Sequence, residues 1–183
     1  MVGKMSDIHV YHWSARLVHW LSALTVVCLF ALGLWMVGLD YYSPWYQTAP
    51  NWHRSIGILL AIFTCLRLLL YVLPRPTAIA SHRALERRLA ACVKMLLLLL
   101  MFSLFLSGYF ISTAAGDPIY VFDWFTVPAI LEFEKLEELA GDVHFYLAWS
   151  LIVLASLHGV AALKHHFIDK DITLKRMTFN PDN

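Results

Sequence analysis

An all-α fold, an integral membrane bundle of four helices, is what this sequence predicts. Three observations predict it. Residues are 60% hydrophobic and only 15% charged, with a mean hydropathy of +0.63, well outside the range of soluble globular domains. Four apolar runs are each long enough to cross a hydrocarbon core of about 30 Å. The chain's 183 residues have room for those four crossings and short connections, so residues 1–183 are expected to form a single transmembrane domain.

The runs are Leu17 to Leu39, Ser55 to Leu73, Leu89 to Ser112 and Phe145 to Leu163. Lipid offers no hydrogen-bond partner to a backbone, so each run must be a helix. Pro74-Arg75-Pro76 ends the second, because proline cannot continue a helix. The first run lacks a small-residue cleavage site after it and reads as a retained helix rather than a signal peptide. Between the third and fourth runs, Ile130 to Ala140 alternates apolar and acidic residues at helical spacing. It is expected to form a short amphipathic helix on the surface.

Orientation follows from the charges. Lys4, Arg16, Arg75, Arg83, Arg87, Arg88, Lys164, Lys170, Lys175 and Arg176 fall on one side, which should be cytoplasmic, with both termini there. The other side carries eight acidic residues, from Asp40 to Asp142, against Arg54 and Lys135. Trp45, Tyr46, Trp52, Trp124 and Phe125 fit an outer aromatic belt. Nothing in the charge pattern supports nucleic-acid binding. Cys28, Cys65 and Cys92 sit in apolar stretches without a Cys-x-x-Cys-His motif, which excludes covalent haem attachment of the c type.

Ionisable groups at membrane depth are costly and point to function. His19 lies near the start of the first run, His53 at the start of the second, and His144 and His158 on the fourth. His144 and His158 are fourteen residues apart, which puts them on nearly one helix face and about 21 Å apart along the axis. Because successive spans reverse direction, His19 shares the level of His158 and His53 that of His144. Fourteen residues on from His19 is Gly33, with room for a flat macrocycle; fourteen on from His53 is Arg67, placed to pair with an ionised group at the inner level. Gly57 and Gly159 are expected to allow close approach in the same way.

Singly, each histidine has an ordinary structural reading as a hydrogen-bonded residue. Jointly, two opposed pairs at two depths fit two bis-histidine haems b. Zinc would gather its ligands in one place. His9, His12, His82 and His166 read as solvated interface residues, whereas His165, seven residues beyond His158 on the same face, is placed to contact a quinone. Lys94 can snorkel from the third run to the interface.

Ala23 to Val37, the His19-Trp20 pair, Trp52-His53-Arg54-Ser55-Ile56-Gly57, and His158-Gly-Val-Ala-Ala-Leu-Lys-His165-His166 together resemble the bacterial cytochrome b561 family, over about Ser14 to Met177. The resemblance implies a four-helix cytochrome of the bacterial inner membrane with two haems b, linked to ubiquinone, some members oxidising superoxide. It places His19, His53, His144 and His158 at the ligand positions and His165 at the first of a His-His pair beside the quinone. The chain departs from the family in carrying Lys94 where other members have a histidine.

With both axial positions of each iron filled, outer-sphere electron transfer is the expected chemistry, between an outer-side donor or acceptor and the ubiquinone pool. One alternative is a haem-bearing membrane anchor subunit that docks a periplasmic redox enzyme. Another is a histidine-using transporter without haem. No catalytic residue is singled out.

Overall fold

In the computed structural model, residues 11–69, 83–130 and 136–178 are described, and all statements of structure concern these. Four long helices dominate: α1 (Trp13–Met36), α2 (Thr48–Leu69), α3 (Ala84–Thr113) and α4 (Leu136–Phe167). Each is long and apolar enough to cross a membrane. Their outward faces carry side chains such as Leu24, Val27, Leu99, Leu106, Val153 and Leu157, each more than half exposed, which is the surface a lipid-embedded bundle presents. The chain is thus a four-helix transmembrane bundle.

The helices run past the apolar windows. α2 begins at Thr48 rather than Ser55, because Pro50 is tolerated in a first turn, where its missing N–H has no partner to lose. α4 begins at Leu136, so Leu136 to Ala140 belong to the long helix and not to a separate surface helix; the rest of that expected element, 131–135, lies outside the described residues. α1 stops at Met36, three residues before the expected Leu39, where Val37, Gly38 and Leu39 turn out of the helix. α3 spans Ala84–Thr113 and its first turn is tied by the Glu86 carboxylate, which accepts from the Arg83 N–H at 2.8 Å. Pro74-Arg75-Pro76, Lys4, His9 and His82 lie outside the described residues.

Hydroxyls inside the spans fold back on their own helix. Ser22 donates to the Val18 carbonyl at 2.7 Å and Thr64 to that of Leu60 at 2.8 Å, which satisfies both groups without water. The imidazole of His12 caps α1 by accepting from the Ser14 N–H at 3.4 Å, so this histidine has a structural role.

α1 packs chiefly on α2 and α3 chiefly on α4, giving two hairpins that meet more sparsely. One bridge between them is the edge-to-face pair of Phe30 and Trp149, centroids 5.0 Å apart. Over the N-terminal end of α2 sits a small antiparallel ribbon of β1 (Ile119–Val121) and β2 (Phe125–Val127). Its turn puts both Phe122 (φ 45°) and Asp123 (φ 61°) in the left-handed region, with Trp124 N–H closing on the Val121 carbonyl at 2.9 Å. Phenylalanine rarely adopts that conformation. Ser55 of α2 helps hold it there, since its Oγ accepts from the Phe122 N–H at 3.2 Å and donates to the Tyr120 carbonyl at 3.3 Å. Ser55, Ala49, Thr113, Ala114, Ile119 and Val121 are all buried, among the least exposed of the described residues.

At the opposite end, the segment after α4 returns to α1. Trp20 Nε1 donates to the Met177 carbonyl at 2.8 Å, Tyr11 N–H to that of Arg176 at 3.3 Å, and the Arg16 guanidinium to that of Thr178.

Candidate functional site

The two levels anticipated from the histidines are each built by all four helices. At the level nearer the ribbon, the rings of His53 on α2 and His144 on α4 face each other across the gap between the hairpins, centroids 6.2 Å apart and planes at 70°. Each ring leans on a glycine of its hairpin partner. A Cβ built on Gly33 of α1 would stand 3.2 Å from His53 Cε1, and one on Gly108 of α3 would stand 3.2 Å from His144 Cε1. Both are tighter than side chains normally pack, so glycine is what lets each ring lie against the neighbouring helix. Gly57 and Gly159 face open space, where a Cβ would meet nothing within 4 Å.

The spacing of the facing rings suits a shared metal. A metal holds an imidazole nitrogen at about 2.0 Å, and that nitrogen stands on the order of 1 Å from its ring centre, so two rings on opposite sides of one metal would have centres about 6 Å apart.

Polar partners differ between the two rings. Ser107, one residue before Gly108 and itself buried, places its Oγ 3.0 Å from His144 Nδ1. His53 Nδ1 is buried without a hydrogen-bond partner. Next to it, Arg54 turns its guanidinium to the Asn51 side chain and lines a cleft of about 480 Å³ with Met36, Val37, Leu39, Tyr46, Gln47 and Pro50.

At the other level His19 of α1 and His158 of α4 are half-buried and close enough to influence each other electrostatically. Arg67 of α2 acts through its charge on both, and Lys94 of α3 acts on His158. The histidines and charges that act on one another at this level thus come from all four helices, as do the glycines and histidines at the first.

A single arithmetic relation ties the levels together. Residues 19 and 33, 53 and 67, 94 and 108, and 144 and 158 are each fourteen apart, so every helix contributes once to each level, about 21 Å apart along its axis. The third pair escaped the sequence reading, although the same count from Lys94 reaches Gly108.

His165 lies beyond the second level, in the last turn of α4. Its Nδ1 is 2.7 Å from Asp171 Oδ2 and 3.1 Å from Asp169 Oδ2, and Asp169 also pairs with Lys164 at 2.7 Å. Both carboxylates come from the segment that folds back under the bundle. Sequence spacing alone could not have placed them.

Known proteins match this sequence along nearly the whole chain. A family model described as prokaryotic cytochrome b561 matches residues 10–180. Cytochrome b561 homolog 2 of Escherichia coli (strain K12) is 53% identical over 161 residues, covering 87% of this chain and 86% of that protein. A Yersinia pestis protein named "Probable superoxide oxidase CybB" is 27% identical over 87% of this chain and 90% of its own length. Cytochrome b561 homolog 1 of Escherichia coli (strain K12) is 24% identical over 96% of this chain and 97% of its own. Four membrane-crossing helices, a full-length family match and a relative identical at more than half of the aligned positions make this chain a multi-pass membrane haem protein of electron transport, and it belongs to the prokaryotic cytochrome b561 family.

Proposed function

We propose that the chain is a single-domain di-haem b cytochrome of the bacterial inner membrane, with both termini cytoplasmic, that passes electrons between an outer-side one-electron partner and the ubiquinone pool. His53 and His144 would hold the outer haem, His19 and His158 the inner one. The observation that carries this reading is the opposition of His53 and His144 at 6.2 Å, each ring backed by a glycine from a third and a fourth helix. When bound there, haem would supply a one-electron iron couple.

The chain's own groups divide the remaining work. Gly33 and Gly108 leave space against the outer pair of rings. Arg67 and Lys94 put fixed positive charge at the inner level, which favours the reduced state there and draws electrons inward. Quinone reduction also takes up protons. His165, in contact with Asp169 and Asp171 at the inner end, is the group placed to hold one.

The activity named for the Yersinia pestis relative offers superoxide as an outer electron donor. The outer loops of this chain are predominantly acidic, with eight acidic residues against Arg54 and Lys135, so their average field repels an anion. Such a rim suits a neutral donor or a basic redox partner. In proteoliposomes containing ubiquinone, superoxide-driven quinone reduction is therefore expected well below the diffusion limit and faster as salt screens the repulsion. A near-diffusion-limited rate that falls with salt would overturn the charge argument. Absence of quinone reduction by any outer one-electron donor would overturn the proposed function.

A further inference from the structure

We propose that Ser107 is a positioning residue for the outer haem, fixing His144 in the Nδ1–H form so that Nε2 alone is offered to the iron. The inference rests on the reading of His53 and His144 as one haem's ligands and extends it to a residue on a helix that supplies no ligand. Ser107 Oγ stands 3.1 Å from the Leu104 carbonyl, to which it donates, and 3.0 Å from His144 Nδ1. A hydroxyl has one proton. With that proton given to Leu104, the oxygen can only accept from His144, so the imidazole proton sits on Nδ1 and the lone pair on Nε2. Ser107 is only 6% exposed, so water does not compete for either bond.

The neighbouring Gly108 completes the seat. Ser107 takes the ring's Nδ1 edge while Gly108 admits its Cε1 edge at 3.2 Å from where a Cβ would stand, which leaves the ring little freedom to rotate. Among the described residues no such clamp is seen on the opposite histidine, since His53 Nδ1 is buried without a hydrogen-bond partner there. The two axial ligands are therefore unequal. An imidazole whose N–H is hydrogen-bonded is the more basic donor to its metal, so Ser107 strengthens the His144 bond and stabilises the oxidised iron.

The test is redox titration and low-temperature EPR of the purified, haem-loaded protein carrying Ser107→Ala or Ser107→Thr, beside His144→Ala to identify the outer haem. Ser107→Ala is expected to raise the midpoint of the haem that His144→Ala removes, to change that haem's low-spin g values, and to leave the other haem as it was. Ser107→Thr, which keeps the hydroxyl, is expected to restore both. If Ser107→Ala instead sheds that haem, recovery in Ser107→Thr supports the role, and failure to recover overturns it. Midpoints and g values of Ser107→Ala identical to those of the unaltered protein also overturn it. Should His144→Ala retain its full haem complement, the ligand reading itself fails; should it lose one haem while Ser107→Ala changes nothing, only the role of Ser107 fails.

Discussion

His144→Ala is expected to halve the haem content of the purified protein, and His53→Ala to remove the same haem. Each ring faces the other at 6.2 Å, so loss of either would leave the outer haem one histidine of the pair. His19→Ala and His158→Ala are expected to remove the inner haem instead, because these residues stand about 21 Å farther along their helices by the fourteen-residue count. The helices should still form in all four variants, since their apolar, membrane-crossing composition is unchanged. Pyridine haemochrome quantitation with redox titration of each variant checks the assignment. If His19→Ala and His144→Ala removed the same haem, the two-level arrangement would be wrong.

Arg67→Leu has the second largest expected effect. Arg67 acts electrostatically on both His19 and His158, and reduction of the iron between them adds a negative charge beside a fixed positive one. A unit charge acting over about 8 Å through an effective dielectric near 20 is worth about 2 kcal/mol, on the order of 90 mV for one electron. The inner haem's midpoint should therefore fall by tens of millivolts, with slower transfer to quinone and an unchanged outer haem. Unaltered potentials and unaltered quinone kinetics would leave Arg67 a purely structural charge. Lys94, acting on His158 from a third helix, should shift the inner midpoint in the same direction when replaced by methionine, and by less.

The parts legible in the sequence were those set by long-range periodicity. Apolar runs gave the four crossings because lipid demands helices, and the fourteen-residue step sets His19, Gly33, His53, Arg67, His144 and His158 at two levels. Helix ends were less legible, since α4 runs without interruption from acidic Leu136–Ala140 into its apolar stretch and Pro50 hides inside the first turn of α2. The ribbon was invisible. Its strands have three residues each, and its turn uses Phe122 and Asp123 without a glycine, held from outside by Ser55. Ser107 and Gly108 were masked by the leucine-rich run around them, where a serine and a glycine read as ordinary small residues of a membrane helix. Only the approach of His144 from α4 gives them a role. The carboxylates around His165 depend on a chain reversal after α4, which no hydropathy pattern encodes.

The central claim is that two histidine pairs at two depths bind two haems b in one chain. Pyridine haemochrome analysis of the purified protein, referenced to protein concentration by amino-acid analysis, measures this most directly. The account predicts two non-covalently bound haems b per chain, titrating as two separate one-electron components. One haem per chain, or none, would contradict it.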